Sequence, residues 1–267
     1  MSAYDILQAA RAPQRPTGRD FNSRLTEDFI ELHGDRSFGD DGAVIGGIGR
    51  VGGEAVTVIA LEKGHDTGER VERNFGSAHP EGYRKALRLM KQAEKFHRPI
   101  LTFIDTPGAY PGMEAEERGQ GEAIARNLME MSRLTVPVVA TVTGEGNSGG
   151  ALALGVADRV LMLSNAVYSI LSPEGFATIL WKDSSRHEEA CELMQLTAPD
   201  LKRLGVIDEI IPEPAGGAHL APEIALRELD AALDRTLKAL SRQSGDALAA
   251  GRYQKFRQMG TPPKEDQ

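Results

Sequence analysis

An α/β fold built on a mostly parallel sheet is predicted by two observations. Short apolar runs rich in β-branched residues, at 100–104, 138–142 and 159–163, have the composition of buried strands. Helical patterns separate them, and strand–helix–strand units repeated in this way imply right-handed crossovers and parallel neighbours. A length of 267 residues with 40% apolar residues is enough for a normal core.

Taken in order, residues 1–20 are polar and interrupted by Pro13 and Pro16, which predicts a frayed start with a short helix at most. Phe21, Leu25, Phe29 and Leu32 stand at helical spacing, and Gly34 ends that helix. Residues 35–41 form an acidic, turn-rich loop. Residues 43–51 and 55–61 read as strands around Gly52-Gly53, a hairpin signal. Residues 62–78 are charged and without period, a long loop holding Lys63, His65, Arg70, Arg73 and Asn74; such loops are usually functional or mobile. His79-Pro80-Glu81 opens a helix with Pro at its first position, and Pro99 stops it before the strand at 100–104. Asp105-Thr106-Pro107-Gly108-Ala109-Tyr110-Pro111-Gly112 then reads as a rigid loop at the strand end. A long helix over 114–133 returns the chain to the strand at 138–142. Beyond 163 come a short strand at 166–171, a helix opened by Ser172-Pro173-Glu174-Gly175, helices at 185–196 and 198–204, and a strand at 206–211. A proline- and glycine-rich connector, an amphipathic helix at 223–240 and a basic segment close the chain. Residues 21–260 are expected to form one domain, and 261–267 a disordered tail.

The stretch at 136–163 organises the rest. A glycine-laden turn, Gly144 to Gly150, follows the strand, and Ser148 is placed to cap the helix that begins there. The N–H groups of Gly149 and Gly150 then lie in the first helical turn without intrahelical acceptors, at a positive helix end. Two such donors suit an oxygen that is gaining negative charge, an oxyanion hole. The same letters satisfy other patterns. Gly144, Gly146 and Gly149 fit the dinucleotide fingerprint, although the next strand ends in Ser164-Asn165 and not in an acid. Gly146-Asn147-Ser148-Gly149-Gly150 fits a nucleophile elbow, for which His219 and Asp208 would complete a triad. A P-loop fails, because no Lys-Ser or Lys-Thr follows the glycines. A turn serving only helix–strand packing is the remaining alternative. With Gly150 in the first turn at negative φ, alanine there is expected to fit and stabilise the backbone while crowding a ligand.

Composition excludes several classes. A net charge of −8 argues against a nucleic-acid footprint. The single cysteine, Cys191, excludes an internal disulfide. No stretch is long and apolar enough to span a membrane and the start lacks a signal-peptide pattern, so a cytoplasmic protein is expected.

Longer motifs carry a family resemblance. Asp-Phe-Ile-Glu-Leu-His-Gly-Asp-Arg at 28–36, Arg-Asn-Phe-Gly at 73–76 and His-Pro-Glu-Gly-Tyr-Arg-Lys-Ala at 79–86 are the first three. Phe-Ile-Asp-Thr-Pro-Gly-Ala-Tyr-Pro-Gly at 103–112, Glu-Glu-Arg-Gly-Gln at 116–120 and Ser-Pro-Glu-Gly at 172–175 follow. Together they resemble the α subunits of bacterial acetyl-CoA carboxylase carboxyltransferases. The resemblance implies a crotonase-type fold of repeated ββα and βαβ units with flanking helices, and transfer of a carboxyl group from carboxybiotin to acetyl-CoA to give malonyl-CoA. It implies biotin carried on the biotin carboxyl carrier protein and not on this chain, a β subunit in an α2β2 assembly, and biotin carboxylase in the full complex. The family's zinc ribbon belongs to the β subunit, and this chain has no Cys-x-x-Cys pair, so no metal is expected here. Gly149 and Gly150 are the positions implied for the hole that takes the biotin ureido oxygen. Gly108 and Ala109 on the facing loop, with Arg73 and Asn74, are the candidates for substrate binding. The sequence departs from the family pattern at Asn147, at Glu114 and in a shorter N-terminal segment.

Overall fold

The structure, a computed structural model, describes residues 1–260. Helices α1 (Ala3–Ala10) and α2 (Gly18–Leu25) lead into strands β1 (Glu27–Glu31), β2 (Val44–Val51) and β3 (Glu54–Leu61). Helices α3 (Thr67–Glu72) and α4 (Pro80–Lys95) precede β4 (Ile100–Thr106), and α5 (Met113–Glu117) and α6 (Gln120–Met131) precede β5 (Val138–Asn147). The short α7 (Ser148–Leu152), β6 (Arg159–Leu163) and β7 (Val167–Ser169) follow. Helices α8 (Pro173–Trp181), α9 (His187–Met194) and α10 (Ala198–Arg203), strand β8 (Glu209–Ile211), and helices α11 (Pro222–Leu240) and α12 (Gly245–Gln258) complete the fold.

The strands form one eight-stranded sheet in the order β1-β2-β3-β4-β5-β6-β8, with β7 paired to the far end of β5. β1, β2 and β3 are antiparallel neighbours, and every pair from β3 onward is parallel. All residues of β4 and β5 are buried, as expected for parallel strands covered by helices on both faces. α4 turns Tyr83, Ala86, Leu89, Met90 and Ala93 toward the sheet at helical spacing. Pro80 at its start and Lys95 in its last turn suit the two ends of the helix dipole. Phe21 of α2 stacks on Phe103 of β4 with ring centroids 5.9 Å apart. Arg252 of α12 is fully buried and donates to the carbonyls of Met131, Leu134 and Val136 and to Asp158 Oδ2. Asp158 Oδ2 also accepts from the Val138 N–H, so this clasp fixes where β5 begins.

Several sequence expectations are corrected. Residues 1–20 hold the short helix the sequence allowed but are not frayed: a capping box between Ser2 and Asp5 starts α1, whose Leu7 is fully buried. Residues 21–32 do not form one helix. α2 ends at Leu25, and Phe29 and Leu32 reach the core from β1 and its exit, because β2 offers a paired edge that outweighs local helical spacing. The long loop at 62–78 contains α3 and a turn of 3-10 helix at Asn74–Gly76. The expected helix at 114–133 is broken at Gly119, which adopts φ 83°. Most consequentially, β5 runs on to Asn147, and Glu145, Gly146 and Asn147 pair with β7. Residues 144–147 are therefore strand and not turn. Cys191 is buried in the core between α1 and α9. The expected tail at 261–267 lies outside the described residues.

Candidate active site

The ends of β4 and β5 set the site. The two strands pair in register through Ile104 and Val142, and pairing resumes at Thr106 and Gly146. The extra residues in β5 bring Gly144 against Asp105. A side chain at 144 would stand 2.4 Å from Asp105 Oδ1, so only glycine fits that approach. Asp105 in turn accepts from the Glu145 N–H at 2.8 Å.

At the end of β5 the chain bends sharply into α7. Ser148 takes φ 59°, a left-handed conformation that is strained for a residue with a Cβ. Asn147 occupies the cap position, and neither residue caps the helix through its side chain, which corrects the assignment of Ser148 as N-cap. The N–H groups of Gly149 and Gly150 make no backbone hydrogen bond.

The loop after β4 meets this turn directly. A Cβ on Gly150 would lie 2.5 Å from Ala109 N and 2.7 Å from the Gly108 carbonyl carbon. Gly150 is glycine because the Gly108–Ala109 peptide occupies its side-chain position. Alanine there displaces backbone and is destabilising, contrary to the sequence expectation that it would fit. Gly149 differs, since a Cβ would meet only Ile124, at 3.5 Å. Within the loop, the Gly108 N–H donates to Thr106 Oγ1 at 3.0 Å, and the Thr106 hydroxyl donates to Gly108 O at 2.9 Å. The Tyr110 N–H donates to the Ala78 carbonyl at 3.1 Å. Ala109 N makes no hydrogen bond, so Ala109, and not Gly108, offers a free donor beside Gly150.

Asn74 and Arg73 are placed differently. Asn74, itself at φ 48°, contacts His79 Nδ1 through its Nδ2 at 3.2 Å, and His79 stacks on Tyr110 of the loop with centroids 4.0 Å apart. Asn74 thus reaches the loop through two rings. Arg73 donates to the Gly42 carbonyl at 2.6 Å and makes no hydrogen bond to the 108–110 loop or to the turn at 148–150.

Beneath the strand ends lies an ionic network that sequence reasoning missed. Lys63 Nζ sits 2.6 Å from Asp105 Oδ1 and 3.1 Å from Glu145 Oε2. Arg11 pairs with Glu145 at 2.8 Å and with Glu174 at 2.6 Å. Burial works against the charge on Lys63, but its two carboxylates outweigh it and raise its pKa. Burial likewise opposes ionisation of Glu145, and Lys63 and Arg11 outweigh it and hold the carboxyl below its ordinary value. The signal available was the placement of Asp105 and Glu145 at the ends of otherwise apolar runs. Arg11, in a segment read as frayed, gave none.

Two cavities flank the turn. One of about 340 Å³ is lined by Arg11, Lys63, Arg70, Phe75, Asp105 and Glu145, among others. The other, of about 630 Å³, is mostly apolar; Ser148 and Gly149 form one wall, and Leu152, Ile170, Phe176 and Leu193 contribute others.

Neither rival motif survives. Gly144 and Gly146 lie within β5 and form no phosphate-binding turn. The strained Ser148 at a strand end does have an elbow's backbone, but its triad is not assembled. Asp208 is bound by the Val160 N–H and Lys255, the His219 ring packs at Gly217, and neither contacts Ser148. Among the described residues no group of three or more His, Cys, Asp or Glu could hold a metal ion. No helix of the described residues is long and apolar enough to cross a membrane.

Comparison with known proteins gives the family and the fold. The family model described as "Acetyl co-enzyme A carboxylase carboxyltransferase-like" matches residues 1–260. The chain is 60% identical over 260 residues to the acetyl-coenzyme A carboxylase carboxyl transferase subunit alpha of Geobacillus kaustophilus, covering 97% of this chain and 80% of that one. It is 60% identical over 252 residues to the same subunit of Streptococcus thermophilus, covering 94% and 97%. Among solved structures, transcarboxylase 12S superposes with TM-score 0.67 at 21% identity over 83% of this chain and 42% of that one. A Pseudomonas malonate decarboxylase hetero-tetramer in complex with coenzyme A gives 0.63 at 19% identity, covering 80% and 86%. The fold is the crotonase type shared by such carboxyltransferases.

Proposed function

The chain belongs to the acetyl-CoA carboxylase carboxyltransferase family, and from that premise we infer that it is the α subunit of the enzyme, transferring the carboxyl group of carboxybiotin to acetyl-CoA to form malonyl-CoA. The observations that support the site are that the N–H groups of Gly149, Gly150 and Ala109 make no backbone hydrogen bond and that the Gly108–Ala109 peptide packs directly against Gly150, at the ends of two buried strands. Carboxybiotin brings the carboxyl group and, on losing it, a ureido oxygen that carries negative charge. Gly149, Gly150 and Ala109 receive that oxygen with donors fixed before reaction, so little reorganisation is needed as charge develops. Thr106 holds the loop that presents Ala109, and the Lys63–Asp105–Glu145 network holds the strand ends beneath it. No side-chain acid or base is placed at the donors, which suits a reaction driven by alignment and electrostatic stabilisation. The donor set fits an oxyanion and offers nothing to a metal.

Biotin arrives on its carrier protein, and the acetyl-CoA half of the site belongs to a β subunit. The apolar cavity beside Ser148 and Gly149, rimmed by the exposed Ile170, Leu193 and Leu204, is the face on which water must be excluded and where that partner closes the site. Arg73 is left with a structural role and Asn74 with an indirect one through His79. The reaction runs in the cytoplasm, alongside biotin carboxylase.

Ala109→Pro tests the hole, because proline removes the free N–H and Gly108 before it tolerates the change. With an assembled complex of normal melting temperature, kcat is expected to fall by about 10²–10³. Turnover within a few-fold of the unsubstituted complex would remove Ala109 from the site.

A further inference from the structure

Gln120 closes the Glu-Glu-Arg-Gly-Gln motif at 116–120, a stretch that contributes no donor to the site itself. The chain breaks at Gly119, where a φ of 83° suits glycine, and α6 begins at Gln120 with only 3% of that residue exposed. Both hydrogens of its amide are used on backbone carbonyls. Nε2 donates to Ala78 O at 2.9 Å and to Tyr110 O at 3.0 Å. The Tyr110 N–H donates to the same Ala78 oxygen at 3.1 Å. Gln120 Oε1, by contrast, is buried without a partner among the described residues, which costs stability. An apolar side chain of that length would fill the space without the unpaired oxygen, but it would hold neither carbonyl.

These bonds tie down one side of the loop that carries Ala109. On the other side Thr106 exchanges hydrogen bonds with the Gly108 N–H and carbonyl through its hydroxyl. Ala109 lies between two residues held in this way, and its own N–H makes no backbone hydrogen bond. The direction of that N–H is therefore set by its neighbours.

Building on the reading of the Ala109 N–H as a donor to the ureido oxygen, we propose that Gln120 is a positioning residue for carboxyl transfer. Its amide clamps Tyr110 to Ala78 and so fixes where the Ala109 N–H points, from behind the loop and without touching the substrate. No bond is made or broken by Gln120.

Gln120→Met, which keeps the length of the side chain and removes both donors, tests this in the enzyme assembled with its β subunit. In complexes intact at the assay temperature, kcat is expected to fall about tenfold while KM for acetyl-CoA stays within about twofold. In an Ala109→Pro background the same substitution is expected to change kcat by less than about twofold, because the N–H it positions is gone. A tenfold loss in both backgrounds would overturn the role, since a merely structural defect adds to any other. Gln120→Asn, with the amide on a stem one methylene shorter, enters the same cycle with the same outcomes if the methionine variant does not assemble. Loss of turnover in Ala109→Pro with normal turnover in Gln120→Met leaves the hole standing and removes Gln120. Normal turnover in Ala109→Pro removes that donor, and the role of Gln120 with it.

Discussion

Ser148 shows how much one residue's backbone decides. Its φ of 59° places a serine where glycine would be at ease, at a cost of about 1–2 kcal/mol for an L-residue in that region. That conformation turns the chain from β5 into α7, where the following two N–H groups make no backbone hydrogen bond. Ser148→Gly is therefore expected to keep turnover within a few-fold and to leave stability level or slightly higher, read by steady-state transfer and thermal melting of the complex. A nucleophilic serine would instead lose nearly all turnover with its hydroxyl. The glycine letters at 144–150 marked a candidate site, but their separate packing roles were not legible. Gly144 is fixed by Asp105 and Gly150 by the Ala109 peptide, and these contacts come from β4 and the loop that follows it, some 40 residues earlier in the chain. Such crossings leave no trace in local spacing.

At the scale of elements, the ends of β3, β4 and β5 are tied together by Lys63, with Asp105 and Glu145 as its partners. Lys63→Met leaves two nearly buried carboxylates facing each other and is expected to destabilise the fold by about 3 kcal/mol. The pH dependence should change sign as well. In the native chain Glu145 has a lowered pKa, so its contribution is present above the ordinary carboxylate range and is lost on acidification through its folded value. Lys63 has a raised pKa, so its contribution is lost only as pH rises past the ordinary lysine range. Without Lys63, Glu145 keeps Arg11 but loses the larger of the two charges that hold its carboxyl low, and the variant should gain stability relative to the native chain as pH falls toward 5. Chemical denaturation across pH 4–8 reads this, and parallel curves for the two proteins would rule it out. The buried strands at 100–104, 138–142 and 159–163 were legible because their apolar runs have no other use. The helix expected over 21–32 was not, since Phe29 and Leu32 bury from an antiparallel edge strand whose register comes from β2. The N-terminal helix was hidden for a similar reason: Leu7 and Arg11 find their partners on α9, β5 and α8, far along the chain.

For the whole molecule, motif order carried the family where periodicity could only carry an α/β class, because crotonase-type units share strand–helix alternation with many folds. Beside Ser148 and Gly149 of the proposed site the molecule presents an apolar wall with Ile170 78% exposed. A surface of that kind next to an active site is half of an enclosure. Carboxyl transfer needs a second set of donors for the acetyl-CoA oxygen, and we infer that the β subunit supplies it. The most direct measurement is malonyl-CoA formation from carboxylated biotin carrier and acetyl-CoA while the β subunit is titrated into a fixed amount of this chain. We expect no product from the chain alone and a rate that rises with added β subunit until the two are equimolar. Product formed by the chain alone at the rate of the saturated complex would contradict the division of the site between two subunits.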